Sequence, residues 1–361
     1  MLKSHFNLQR DDNEEEIEIV PEEQTYHEHV GEEAVPDEEP IIRAPERVLS
    51  RSEISIRLSV LGKTAAGDGY TYLKATCTNM NLTEISALKS FHHLQYIDVS
   101  NNNLTTESLQ VLSELPFLLL IHADKNNLNS AYLKRMKYLQ VIIFNNNRIT
   151  SVRDVYHPEM STVEVGYNKI INIYFENRMP NLKCLDFRYN SIHDISDIDF
   201  PNLDSLYLAG NRITSLIGIE NLPNLRILHV RNNPIKLLNG FDPVHKKLQY
   251  LNLRNTKVTT LKQIKKLRVL PALETLIIKG CPYMGGTGEE DAEVADEEES
   301  PEQRVEVLAS LPRLKRLNKG VITPEERTEA NDLIKQWIEE GENDEEEIED
   351  EHNELESNDE N

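Results

Sequence analysis

The sequence has few cysteines, a single tryptophan and no long apolar run. Its 361 residues include three cysteines, which are an odd number and lie far apart. Because disulfide frameworks use paired cysteines, we expect a protein of a reducing compartment. No apolar run approaches the roughly 18 residues of a membrane helix. The first residues, MLKSHFNLQRDDNEEE, lack the apolar centre of a signal peptide, so we expect a cytoplasmic location without membrane association.

Motifs that indicate catalysis or ligand binding are missing as well. The tripeptide GKT at 62–64 resembles the end of a phosphate-binding loop, but Arg57 occupies the position that requires the first glycine. The histidine pairs at 27/29 and 92/93 have no second ligand pair at metal-binding spacing. No G-x-S-x-G motif is present. We therefore expect no enzyme, no small-molecule substrate, no cofactor and no bound metal.

Acidic residues are abundant, and they are concentrated in three segments. The whole chain has a net charge of −23. Residues 1–50, 287–303 and 339–361 carry −11, −9 and −14, which leaves +11 for the remaining chain. Such polar segments bury too little apolar surface to offset the entropy of ordering, so we expect all three to be disordered. They either keep the protein soluble or shield its basic body.

One eleven-residue pattern recurs along the body of the chain. Residues 139–149 read LQVIIFNNNRI, which fits L-x-x-L-x-L-x-x-N-x-L, the signature of a leucine-rich repeat. The ninth-position asparagines are separated by 21 to 24 residues and are Asn102, Asn126, Asn147, Asn168, Asn190, Asn211 and Asn233. Weaker copies at 72–82, 248–258 and 273–283 place Met80, Thr256 and Cys281 at the ninth position. About ten repeats therefore fill residues 72–286.

The repeat predicts the fold. Its first, fourth and sixth positions point inward, and stacked repeats bury them in one continuous core. An asparagine amide has two donor hydrogens and an acceptor oxygen, so we expect it to bond the backbone of its own turn and of the next repeat. Repeats of 21 or 22 residues leave room on the convex side only for 3₁₀ turns or extended segments, as at 213–224. We therefore predict an α/β solenoid with a concave parallel β-sheet.

The two ends of the solenoid have their own predicted elements. Residues 51–71 form an N-terminal capping segment, and residues 304–338 contain a closing half-repeat and a cap helix. Thr323, Pro324 and Glu326 match a helix capping box with proline at the first helical position. The apolar stripe of this helix includes Leu333, Ile334, Trp337 and Ile338. We expect the stripe to cover the last repeat, and the alternative is a partner-binding helix.

The register also predicts a protein-binding surface. The third, fifth and seventh positions of each repeat line the concave face, and its C-terminal half is basic and aromatic. The candidate docking residues are Arg188, Tyr207, His229, Arg231, Tyr250, Arg254 and Lys279. Exposed tyrosine and arginine are typical of protein-binding hot spots, although they are also ordinary solvated residues. The basic charge could attract nucleic acid, but the long acidic tails argue against that partner.

Two segments outside the repeats carry a resemblance to a known family. They are GDGYTYLK at 67–74 and ERTEANDLIKQ at 326–336. With the acidic N-terminal tail, residues 51–338 resemble the leucine-rich repeat-containing protein 23 family, which is associated with radial spokes of motile cilia and flagella. The resemblance implies a structural adaptor that binds other spoke proteins in the axoneme. The 287–303 insert and the acidic C-terminal tail depart from the family's pattern.

Two other protein classes have similar features. The repeats are similar to those of the regulatory subunit of protein phosphatase 1, which lacks the long acidic tails and the GDGYTYLK segment. Acidic tails after leucine-rich repeats are also typical of acidic nuclear histone-binding proteins, whose solenoids are shorter. Expression restricted to ciliated or flagellated cells would favour the spoke adaptor over both.

Overall fold

The computed structural model describes residues 46–65, 67–289, 300–318 and 320–341. Most of the three acidic segments lies outside these ranges, so their disorder stays a prediction. In the part of the chain that is described, no helix is long and apolar enough to span a membrane.

The repeats build one sheet in which each strand pairs with its neighbours in the sequence. Strands β2 to β12 run parallel, whereas β1 and β13 pair antiparallel at the two ends. The strands are β1 (Leu58–Lys63), β2 (Tyr70–Thr76), β3 (Tyr96–Asp98), β4 (Leu120–His122), β5 (Val141–Ile143), β6 (Thr162–Glu164), β7 (Cys184–Asp186), β8 (Ser205–Tyr207), β9 (Ile227–His229), β10 (Tyr250–Asn252), β11 (Thr275–Ile277), β12 (Arg316–Leu317) and β13 (Gly320–Val321). The predicted α/β solenoid with a parallel sheet is confirmed.

The core lies behind the sheet and runs through every repeat. In the repeat of β5, the first, fourth and sixth positions are Leu139, Ile142 and Phe144, each at most 1% exposed. Equivalent residues of the other repeats belong to the same buried cluster, except Tyr72 at the first position of the first repeat, which is 49% exposed. Burying one such side chain stabilises the fold by roughly 1.5–3 kcal/mol, and stacking lets neighbouring repeats share that burial.

The segments that connect the strands vary with repeat length. The helices are α1 (Arg51–Ser55), α2 (Thr106–Leu109), α3 (Leu261–Lys265), α4 (Pro301–Ser310) and α5 (Pro324–Glu340), and the 3₁₀ helices are Ser86–Ser90, Gln110–Glu114, Ile219–Asn221, Lys266–Val269 and Pro282–Met284. The 3₁₀ turn expected within 213–224 is present. Helices α2 and α3 occur in the two longest repeats, where extra residues make room for one α-helical turn.

The predicted N-terminal boundary is wrong, because ordered structure begins before residue 51. Val48 bridges to Glu84, and Leu49 is only 1% exposed. Ser50 caps α1 in a capping box with Glu53. The cap therefore starts within the predicted 1–50 tail, since Leu49 covers the edge of the core.

The predicted insert at 287–303 is also too long. Ser300 is the N-cap of α4, and Lys257 Nζ donates a hydrogen bond to the Thr287 carbonyl at 3.1 Å. Only residues 290–299 of this segment lie outside the described residues. The helix α4 was not predicted, because acidic residues precede it and its apolar residues fit no leucine-rich pattern.

The C-terminal helix α5 caps the solenoid. Arg327 Nη1 donates a hydrogen bond to the Pro312 carbonyl at 2.8 Å, and Ala330 is 1% exposed. Of the predicted stripe, Leu333, Ile334 and Trp337 pack on the core. Ile338 lies outside this packing and is 73% exposed. The cap is therefore as expected except at the last turn of its apolar stripe.

Candidate functional site

The ninth-position asparagines hold successive turns together. Asn126 Oδ1 accepts the Leu104 N–H at 3.0 Å. Its Nδ2 donates to the carbonyls of Val99, Ala123 and Asp124, each at 3.1 Å. The other six ladder asparagines bond in the same way. Each amide reaches the preceding repeat, which corrects the expectation that it would bond the next one.

The residue before each ladder position has a left-handed backbone. Its φ lies between 52° and 77° in every repeat, at Asn79, Asn101, Lys125, Asn146, Tyr167, Tyr189, Gly210, Asn232, Asn255 and Gly280. Asparagine and glycine tolerate this conformation better than other residues. The runs of adjacent asparagines thus combine a turn residue with a ladder residue, as expected from the single ladder position in each repeat.

We define the strand face as the side chains at the third, fifth and seventh repeat positions. Four of the predicted docking residues, Arg188, Tyr207, His229 and Tyr250, form a stacked row on this face. The guanidinium carbon of Arg188 lies 6.0 Å from the ring centroid of Tyr207. The rings of Tyr207 and His229 are 4.9 Å apart, and those of His229 and Tyr250 are 4.7 Å apart. Tyr207 and His229 are direct partners on β8 and β9, whereas Tyr250 pairs with Ile227 and its ring reaches His229 diagonally across the strands.

The first member of this row is fixed by a buried carboxylate. Asp186 is fully buried, and both of its oxygens lie 3.1 Å from Arg188 Nε. Arg188 Nη2 adds a contact of 3.0 Å. Ion pairs of this kind hold the planar guanidinium in one orientation. Arg188 is therefore an oriented platform for Tyr207, and Asp186 compensates its charge.

The other three predicted residues form a second row at the seventh position. Arg231, Arg254 and Lys279 follow the consecutive strands β9, β10 and β11. Backbone hydrogen bonds of 2.9 to 3.0 Å join the turns that carry them, and Asn252 Oδ1 accepts the Arg254 N–H at 3.0 Å. All three side chains are half-buried. The structure thus brings all seven predicted residues onto five adjacent strands.

Sequence reasoning missed an ionic cluster near the other end of the strand face. His122 Nε2 lies 3.2 Å from Asp124 Oδ2, and His122 Nδ1 lies 3.4 Å from Asp98 Oδ2. Hydrogen bonds to Asp124 and then Asp98 raise the pKa of His122 to about 10. Burial alone would raise the pKa of Asp98, but hydrogen bonds from His122 and Ser100 outweigh it and lower that pKa to about 2. The register could have located this cluster, because Asp98 and His122 occupy the fifth position of adjacent repeats.

The two parts of the strand face differ in charge. The part near β3 and β4 carries the Asp98–His122–Asp124 cluster, and the part from β7 to β11 carries the aromatic row and the three cations. Within the described residues, no group of three or more histidine, cysteine or acidic side chains is placed to hold a metal ion. This surface therefore presents charge and aromatic rings in a fixed pattern.

Comparisons with known proteins agree with this repeat architecture. The family model described as Leucine Rich repeats (2 copies) matches residues 201–243, and the model described as Leucine Rich repeat matches residues 92–113. The chain is 36% identical to leucine-rich repeat-containing protein 23 of Homo sapiens, covering 78% of this chain and 78% of the human one. It is also 36% identical to the Bos taurus protein of that name, over 76% and 77% of the two chains.

The chain belongs to the leucine-rich repeat-containing protein 23 family. A likeness to a solved structure shows the fold alone: the crystal structure of a TLR13–ssRNA13 complex has a TM-score of 0.50 at 18% identity, covering 69% of this chain and 36% of that one. For a member of the leucine-rich repeat-containing protein 23 family, the repeat fold indicates an adaptor that binds other proteins.

Proposed function

We propose that this protein is a non-enzymatic structural adaptor of radial spokes, which binds other spoke proteins in the axoneme of motile cilia and flagella. The family relationship over more than three quarters of the chain supports the spoke assignment. The main structural support is the aromatic row from Arg188 to Tyr250 beside the cations Arg231, Arg254 and Lys279. Rigid aromatic side chains with neighbouring arginines are the usual anchors of protein interfaces.

The geometry suits a partner segment that is acidic and partly apolar. The row is already stacked in the unbound protein, so binding costs little side-chain entropy there. A partner side chain can extend the contacts of the Tyr207–His229–Tyr250 rings, whose centroids are less than 5 Å apart. Carboxylates of the same segment would lie against the adjacent cations and set its register.

Localisation in a motile flagellated cell tests the spoke assignment. The tagged protein is expected in the axoneme, where it should resist detergent and be released by high salt, because charged contacts weaken as ions screen them. A diffuse cytoplasmic or nuclear signal would contradict the proposal. That result would favour phosphatase control or histone binding instead.

Charge reversal on the strand face tests the docking surface separately. Arg231→Glu combined with Arg254→Glu should reduce recovery of spoke proteins from an axonemal salt extract, while the urea midpoint stays nearly unchanged. Recovery is measured by quantitative mass spectrometry after a pull-down. The matched control reverses Lys169 and Lys236, which are exposed and lie off the strand face. Equal recovery with both double variants would exclude the predicted surface.

A further inference from the structure

A groove lies where α5 crosses the end of the solenoid, away from the strand face. Its volume is about 390 Å³. Leu267, Leu270 and Leu273 of the last two repeats form part of its apolar lining, and Trp337 and Ile338 of α5 form one wall. The exposed Ile338 stands at this wall, so the cap helix leaves apolar surface uncovered. An apolar groove of this kind is a site for another chain segment.

Two polar features distinguish this groove from a simple packing defect. Ser310 lines it and is fully buried, but its Oγ has no hydrogen-bond partner among the described residues. The described residues of the lining also include Lys265, Arg268 and Arg313, and none of them carries a carboxylate. Lys265 Nζ lies 5.1 Å from the centre of the Trp337 ring, so positive charge adjoins the apolar wall. The groove is suited to a segment that is both acidic and apolar.

We propose that the acidic C-terminal segment of the same chain, residues 342–361, docks in this groove. The segment contains 12 acidic residues and no lysine or arginine. Its only aliphatic residues are Ile348 and Leu355. Ile348 fills the apolar lining beside Trp337 and Ile338. The carboxylates around it lie against Lys265, Arg268 and Arg313 at the rim.

The position of the segment along the chain supports this occupant. Helix α5 ends at Glu340, and Gly341 follows with φ of 72°, a left-handed cap that redirects the chain. The seven residues that follow Gly341, up to Ile348, span up to about 25 Å when extended. Ile338 lies three residues before Gly341, or about 5 Å along the helix. The segment therefore reaches the groove easily.

The other acidic segment near this end is less well placed. Residues 290–299 precede Ser300, the N-cap of α4, whereas Ser310 ends that helix. The two ends are about 15 Å apart along the helix axis. Because the C-terminal segment leaves the wall of the groove itself, we assign the site to it. This assignment concerns a different surface from the proposed docking face and does not depend on the radial spoke.

Tryptophan fluorescence tests the proposal directly, because Trp337 is the only tryptophan in the chain. Full-length wild-type protein is compared with full-length Ile348→Asp. The variant should show a red-shifted emission maximum and stronger quenching by acrylamide, since Trp337 loses its cover. About 1 M NaCl, where the screening length falls to about 3 Å, should shift the wild-type spectrum in the same direction. Arg313→Glu should act like Ile348→Asp.

Matched controls separate docking from a general effect of charge. Ile56→Asp replaces an isoleucine that is 80% exposed near the other end of the solenoid, and Lys169→Glu reverses an exposed cation in the repeat of β6, outside the repeats that line the groove. Both should leave emission and quenching unchanged. Identical spectra for wild type and Ile348→Asp would overturn the proposal. A second result would also overturn it: Trp337 loses its protection from acrylamide on dilution, and light scattering shows a dimer at the higher concentration. A second copy of the chain would then fill the groove.

Discussion

Single asparagines in this protein have different roles although they are neighbours in the sequence. Asn126 is 7% exposed, and its amide bonds four backbone groups across two repeats. The adjacent Asn127 is half-buried, and its backbone N–H bonds the Leu104 carbonyl at 2.9 Å. At Asn126 the side chain therefore makes the contacts between repeats, whereas at Asn127 the backbone makes them.

A pair of alanine substitutions measures this difference. Asn126→Ala should lower the free energy of unfolding by about 1–3 kcal/mol, because it leaves buried backbone groups unsatisfied. Asn127→Ala should change it by no more than about 0.5 kcal/mol. Urea denaturation of both variants gives the two values. Equal losses would mean that the ladder amide contributes nothing specific.

The His122 cluster predicts a dependence of stability on pH. The pKa of His122 is about 10 in the folded protein, above its ordinary value of 6.5. The protonated His122 imidazole therefore stabilises the folded state fully below about pH 6.5. This contribution to the free energy of unfolding is lost as the pH rises through about 10. The difference in urea midpoint between wild type and His122→Asn should therefore shrink over this interval. The exposed His92→Asn is the control, and a constant difference for His122→Asn would contradict the ion-pair assignment.

At the scale of elements, the turn after each strand requires one left-handed residue. Asn146 has φ of 55° and is exposed, so its effect on stability comes mainly from its backbone. The same geometry recurs at Lys125 and Tyr189, which adopt it because the adjoining sheet and ladder fix the turn. The turn is thus imposed by the stack and is made easier by asparagine.

A β-branched residue in this turn tests the geometry. Asn146→Val should destabilise the protein by about 1–2 kcal/mol, because a left-handed backbone brings Cβ too close to the carbonyl oxygen. Asn146→Gly avoids that clash and should have a much smaller effect. Thermal or urea unfolding compares the two. If Asn146→Gly and Asn146→Val lower the free energy of unfolding by the same amount, the turn is not left-handed in solution.

At the scale of the whole molecule, stability should be distributed repeat by repeat. Each repeat contacts mainly its neighbours, so the loss of a cap acts on the adjacent repeats first. Helix α5 is anchored at the C-terminal end through Ala330, which is 1% exposed, and through Arg327. Among the described elements, its main contact is with α4.

Hydrogen exchange measures that distribution. Ala330→Asp places a charge in the buried contact of α5 and should increase exchange in α4 and β12, while β3 to β5 keep their protection. Asn331→Asp, at the exposed neighbouring position, is the matched control. A uniform rise in exchange over all repeats would show that the solenoid unfolds as one unit.

The sequence by itself determined the repeat, the strand register and the buried positions. These follow from local spacing, since each repeat places the same side chains inward and the stack has no other way to cover them. The same register placed Arg188, Tyr207, His229 and Tyr250 on one face. The capping box of α5 was readable because its signals are local in sequence.

Only the tertiary structure decided what depends on distance between repeats. It set the direction of the ladder bonds, the stacking of the aromatic row and the pairing of His122 with two aspartates. It also showed that α5 leaves Ile338 exposed beside an open groove. These features arise mainly from contacts between different repeats or elements, and their geometry is fixed by strand spacing and helix packing, which a linear pattern does not specify.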